Sequence, residues 1–139
     1  MDANLKLFTI NLETFIGKSQ MSVLKRNIRG EEGAFFKEML KGIKQTILNM
    51  PGPYETEGRW LEKKAMLHYF KGGSDFYIFE RDNFDDKQKQ AFGFACLNND
   101  KLNSELGYIN ISELIACNVE LDLYYTPLTL EEILEKFKA

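Results

Sequence analysis

The residues best equipped for chemistry are His68, the carboxylates that follow it in the chain, and two cysteines, Cys96 and Cys117. Asp75 opens a stretch in which Glu80 and Asp82 share one face, since alternate residues of a strand point the same way. Two such acids can hold Mg²⁺ or divide acid and base roles. Arg81 points to the opposite face, however, and both acids run into Asn83, Asp85 and Asp86, a solvated loop. Surface charge is the plainer use. His68 is the only histidine, and zinc needs three or four converging ligands, so neither metal nor cofactor is expected. On its strand His68 shares parity with Met66 and Phe70, as a half-buried, hydrogen-bonded ring whose neighbouring sequence supplies no proton-transfer partner. Cys96 sits at the parity of Phe92 and Phe94, surroundings that keep a thiol protonated, and Cys117 has no histidine near it in sequence. Structural use is expected of both. Gly72-Gly73-Ser74 lacks the spacing of a phosphate loop and is followed by a strand.

What remains is surface recognition. Glu105, Tyr108, Glu120, Asp122 and Tyr124 combine acids with aromatic rings, a composition suited to docking on a basic protein. Tyr125 belongs to the same stretch. Glu120 and Asp122 lie two apart on a predicted strand, with Leu121 and Leu123 buried behind them. Reversing both charges is therefore expected to leave folding intact and to abolish partner capture.

The elements that would carry these groups follow from periodicity. Leu5, Leu7, Ile10 and Leu12 predict a short strand or extended segment, and Met21, Val23, Leu24 and Ile28 a short helix closing at Gly30. From Glu31 to Met50, Phe35, Met39, Ile43 and Ile47 recur every four residues, a helix that Pro51-Gly52-Pro53 must end. Residues 51–59 are a loop. Strands are predicted at 65–70 and 75–82 around the glycine turn, at 90–97, at 105–110 and at 119–125, with Ser112 capping a short helix over 113–116. Thr129 and Glu132 form a capping box for a final helix that buries Leu130, Ile133, Leu134 and Phe137. The fold class is α+β: an antiparallel sheet with flanking helices on one face. The chain reads as one domain over 1–139, with 1–50 mainly helical and 62–139 β-rich.

Composition agrees. The chain has 139 residues, 44% of them hydrophobic and 28% charged, which suits one globular domain rather than a disordered chain. Apolar runs stop far short of the ~20 residues that span a bilayer. Asp2, Asn4 and Lys6 interrupt the N-terminal segment, so no signal peptide is visible, and two cysteines make no disulfide framework. A cytoplasmic protein is expected. The net charge of −3 conceals an asymmetry: residues 1–71 carry +4 and residues 72–139 carry −7. An acidic second half argues against direct nucleic-acid binding, which needs a concentrated basic surface, although Lys25, Arg26 and Arg29 could form a small patch.

One run of residues is distinctive: His68-Tyr-Phe-Lys-Gly-Gly-Ser-Asp-Phe-Tyr-Ile-Phe-Glu-Arg-Asp82, followed by Gln90-Ala-Phe-Gly-Phe-Ala-Cys-Leu97. It continues as Glu105-Leu-Gly-Tyr-Ile-Asn-Ile-Ser-Glu-Leu114 and Val119-Glu-Leu-Asp-Leu-Tyr-Tyr-Thr-Pro127. Over residues 62–135 the chain resembles a family of small proteins carried on plasmids, integrative elements and phages. Members of that family often have Trp-Tyr-Ile-Thr-Glu where Phe76-Tyr77-Ile78-Phe79-Glu80 stands here, and Phe79 in place of Thr makes that face more apolar. The family carries no activity that transfers. The resemblance implies a mobile-element context, rich in proteins that disarm host defence. The expected function is a non-enzymatic protein-binding module that inhibits a host defence nuclease, of anti-CRISPR or antirestriction type, by occupying its basic, nucleic-acid-binding surface. The alternatives are a small metal-dependent hydrolase or nucleotide-handling enzyme built on Glu80, Asp82 and His68, and a structural accessory domain.

Overall fold

The computed structural model describes residues 11–51, 60–81 and 90–139. The predicted N-terminal strand at Leu5, Leu7 and Ile10, the loop over 52–59 and Asp82 lie outside the described residues; Leu12 sits in a single 3-10 turn, Leu12–Thr14. Helix α1 (Lys18–Ile28) buries Met21 and Leu24. Helix α2 (Gly33–Asn49) turns back against it, starting two residues later than the sequence predicts. The reason is close approach: a Cβ on Gly33 would lie 2.1 Å from the carbonyl oxygen of Ile28, so only glycine starts α2 against the end of α1.

The sheet follows. Strands β2 (Leu67–Lys71), β3 (Ser74–Arg81), β4 (Gln90–Cys96), β5 (Glu105–Asn110) and β6 (Glu120–Leu121) form one antiparallel sheet in the order β5-β4-β3-β2-β6. Strands β1 (Lys64–Ala65) and β7 (Leu128–Thr129) make a separate two-residue ladder. Gly72, at φ +56°, supplies the positive angle that lets Lys71 pair with Ser74 across a two-residue turn. From that pairing Tyr69 faces Phe76 and Leu67 faces Ile78, so Leu67, Tyr69 and Ile78 share one face while His68 and Tyr77 share the other.

Each face has its own core. The first packs Leu67, Tyr69, Ile78, Ala91, Ile109 and Leu121 against α1, α2 and the short helix α3 (Ile111–Ala116). The second gathers Tyr77, Phe79, Phe94 and Cys96 beneath Leu130 and Ile133 of the last helix, α4 (Leu130–Lys136), and Phe137, which caps its end. The α+β architecture with an antiparallel sheet is as expected, but the helices are divided between the two faces rather than gathered on one. Apolar residues stand at both parities of β3 and β4, and a sheet apolar on both sides needs two covers.

Three local expectations are corrected. Asn110, not Ser112, caps α3: its Oδ1 accepts the Glu113 N–H at 3.2 Å. The strand predicted over 119–125 is only Glu120–Leu121, because the Asp122 carboxylate accepts the Tyr124 N–H at 3.1 Å and turns the chain. Leu134 lies on the solvent side of α4.

Polar contacts tie the helices to the sheet. The buried Tyr69 hydroxyl donates to the Phe15 carbonyl at 2.6 Å, and burial pushes its pKa well above the ordinary tyrosine value. Arg81 Nε donates to the Ile47 carbonyl in the last turn of α2 at 2.9 Å, so the predicted Arg81 orientation, opposite Glu80, places it under the helical layer. Gln20 of α1 clasps the outer side of β6: its Nε2 donates to the Leu121 carbonyl at 2.7 Å, and its Oε1 accepts the Leu121 N–H at 2.9 Å. That pair imitates a further strand. Replacing Gln20 with Ala leaves both backbone groups without it, and should cost about 1–3 kcal/mol in urea denaturation.

The capping box forms as the sequence predicts. Thr129 Oγ1 accepts the Glu132 N–H at 3.2 Å, and Glu132 Oε1 accepts the Thr129 N–H at 3.0 Å. That backbone donor first, then the Thr129 hydroxyl, holds the Glu132 carboxyl below its ordinary 4.5. A carboxyl lowered by folding stabilises the fold above its unfolded pKa and loses the contribution as pH falls through the folded value. Glu132→Gln should therefore melt below wild type at neutral pH, with the gap closing as the pH is taken below 4.5.

Candidate functional site

His68 projects from β2 between two carboxylates. Its Nε2 lies 2.8 Å from Asp75 Oδ1 and its Nδ1 lies 3.0 Å from Asp122 Oδ2. Asp75 is brought there by the β2–β3 turn: with Lys71 paired to Ser74, Phe70 opposes Asp75 and His68 opposes Tyr77, so Asp75 is the diagonal neighbour of His68 on one face. Asp122 arrives from far along the chain, where β6 pairs with β2 and the Asp122 N–H donates to the His68 carbonyl at 2.8 Å. The imidazole stacks on the Tyr77 ring at 4.4 Å and 16° between planes, with Tyr125 tilted alongside at 5.6 Å. When the ring carries both protons each N–H donates to one carboxylate; in the neutral ring only one can.

The surrounding hydroxyls are held protonated. Burial, then the charges of Asp75, Tyr125 and Asp122, pushes the Tyr77 hydroxyl far above its usual range. Burial also moves Tyr125 to about 12, against the pull of the Leu128 N–H that donates to it at 3.0 Å. Cys96, opposite Asp75 on β4, is buried; that burial first, and then Asp75, raises its thiol, so it stays a thiol. Cys117 is exposed. Both nitrogens of His68 are taken up by carboxylates, so the cluster as built is a clamp joining β2, β3 and the turn after β6.

Glu80 departs from the surface role expected of it. It is buried, with the ammonium of Lys63 3.8 Å from its Oε2. Among the described residues the Lys63 Nζ has no hydrogen-bond partner, and it rests 3.3 Å from the centroid of the Trp60 ring, an arrangement in which the π face and the carboxylate both offset the cost of burying the charge. Glu80 stands three residues beyond the partner of His68 on β3, roughly 10 Å along the strand. The two groups of the hydrolase reading are therefore not brought together. Among the described residues no group of three or more His, Cys, Asp and Glu side chains is disposed to hold a metal ion.

The five residues expected to bind a partner are distributed over both edges of the sheet. Glu105 and Tyr108 lie on β5 at one edge; Glu120 lies on β6, and Asp122 and Tyr124 in the turn after it, at the other. Four strand spacings separate the edges, about 19 Å. Glu105 and Tyr108 also point to opposite faces, since they differ by three positions. Tyr108 is 70% exposed and Tyr124 71%. The Tyr108 ring is seated edge-on against Phe92 at 5.6 Å and 78°, with exposed Leu106 beside it on the same face. Asp122 is drawn inward by His68, so the expectation that it is a free surface charge does not hold.

Compared with protein-family models, with curated proteins and with solved structures, the chain matches none. No helix among the described residues is long and apolar enough to cross a membrane.

Glu120 of β6 and Asp122 of the turn after it should now behave differently. Glu120→Lys changes an exposed side chain and should alter stability by no more than about 0.5 kcal/mol. Asp122→Ala removes one of the two carboxylates on a part-buried imidazole and the cap of the turn, and should cost about 1–3 kcal/mol. Chemical denaturation of the two variants separates them.

Proposed function

We propose that the chain is a non-enzymatic protein-binding module that acts in the cytoplasm through the aromatic and acidic rim at β5. The observation that carries this is Tyr108: its ring is 70% exposed, yet its orientation is held by Phe92. A large aromatic side chain ordered before binding loses little entropy on docking, which is the physical character of an interface anchor. Leu106 extends the apolar strip, and Glu105, on the opposite face of the same strand, adds a negative charge to the rim. The charge balance of residues 72–139, −7 in all, favours a basic partner and speeds encounter with it.

The resemblance to proteins of plasmids and phages supports a more specific target, the nucleic-acid-binding surface of a host defence nuclease. There Glu105 would stand where a phosphate would bind, with Tyr108 as the buried anchor. Glu120 and Tyr124, at the other edge, would meet a different part of a large partner.

Capture of host proteins by the immobilised chain at low salt tests the assignment. Tyr108→Ala should weaken capture by roughly 30-fold, the effect of losing an anchor worth about 2 kcal/mol. Tyr124→Ala, at the other edge, should weaken it less. Equal capture by wild type and Tyr108→Ala would refute the β5 rim as the binding site.

A further inference from the structure

β5 is an open edge, and the ladder determines what it offers. The two-residue turn makes Lys71 and Ser74 a hydrogen-bonded pair. Alternation from there directs the N–H and C=O of Asp75 and Tyr77 toward β4, those of Gly93 and Ala95 toward β5, and those of Leu106 and Tyr108 away from the sheet. At the other edge the corresponding outward groups, those of Leu121, are closed by Gln20. β5 has no such clasp among the described residues. It also carries no Pro or Lys and no register shift against β4, devices that ordinarily guard an edge, and its one charge, Glu105, stands at the end of the strand.

Gly107, in the middle of β5, has no explanation among the described residues. Its φ is not positive, and a Cβ there would meet nothing within 4 Å. Glycine nevertheless weakens a strand by about 0.5–1 kcal/mol relative to alanine. In a strand interior it marks a place where another backbone or a ligand comes close, and among the described residues no backbone does so on the outer side.

We propose that β5 pairs antiparallel with β5 of a second copy of this chain, about a two-fold axis at Gly107. In this register Leu106 opposes Tyr108 of the second copy, and the converse holds, so the outward N–H and C=O groups of both residues are satisfied in both copies. Two apolar–aromatic cross-strand pairs form on one face. The two glycines meet at the non-hydrogen-bonded position on the axis, where Cα atoms approach to about 4.5 Å. The two Glu105 carboxylates lie about 14 Å apart along the ladder, beyond the ~8 Å screening length of physiological salt. Self-association closes at two copies: the other edge is two residues long and clasped, so no head-to-tail chain of β5 on β6 can grow. The proposal concerns the backbone of β5 and stands whether or not a host partner exists.

The test uses the purified full chain alone, by sedimentation equilibrium from micromolar to millimolar concentration together with amide hydrogen exchange. A dimeric mass is expected, with Leu106 and Tyr108 amides that exchange slowly in the dimer and fast on dilution. Tyr108→Pro removes an outward N–H and keeps the bonds to β4, so it should be monomeric with an unchanged circular dichroism spectrum. If that variant does not fold, Leu106→Lys, which places a guard charge at the edge, should be monomeric in its stead. A wild type that stays monomeric at millimolar concentration overturns the proposal. So does a dimer whose Leu106 and Tyr108 amides exchange as fast as in the monomer.

Discussion

The turn between β2 and β3 is the constraint on which the rest of the sheet depends. Gly72 takes φ +56°, Lys71 meets Ser74, and every later parity is a consequence. A register one residue different would carry Tyr69 and Ile78 out of the helical core and His68 into it. It would also exchange the outward and inward backbone groups of β5. The positions of the buried Tyr69, of the His68 clamp and of the open edge are thus three readings of one pairing.

The two faces solve different packing problems. Three helices cover the first, where aliphatic side chains from Leu12 to Leu121 make an extended core. The second is covered by one short helix and is mostly aromatic, with Tyr77, Phe79, Phe94 and Phe137 at its centre. Rings suit that side because a seven-residue helix offers few side chains, and each ring fills more volume than an aliphatic group. Arg81 and Glu80, adjacent on β3, point to opposite layers and carry charge into both; Arg81 is directed at the last turn of α2, and Glu80 at Lys63.

Local features were the legible ones. The glycine turn, the capping box and the span of β5 all depend on residues a few positions apart, and the structure has them where the sequence places them; the α2 stripe packs from Phe36 to Ile47, while Phe35 at its start stands in solvent. Even the His68–Asp75 contact was within reach, since a two-residue turn makes residue 75 the diagonal neighbour of residue 68. Asp122 was not, because its alternation with Leu121 and Leu123 imitates a long strand, and only the return of the chain to β2 shows that its carboxylate is needed at His68. Glu80 misled for the opposite reason: its sequence neighbours are charged, while its spatial neighbours are Lys63 and an aromatic layer. Which strand forms the edge depends on strand order, a long-range property with no local mark other than an unexplained glycine.

Gln20 has a consequence for how the protein fails. Its clasp makes the safety of one sheet margin conditional on the docking of α1, a helix that contributes Met21 and Leu24 to the core and can detach at a lower cost than global unfolding. A molecule in that partly opened form keeps most of its sheet and exposes the N–H and C=O of Leu121. Sticky intermediates of this kind reach aggregation before the chain unravels. Heat would then precipitate the protein from a state that still holds its strands, at a rate governed by how often one helix lifts away.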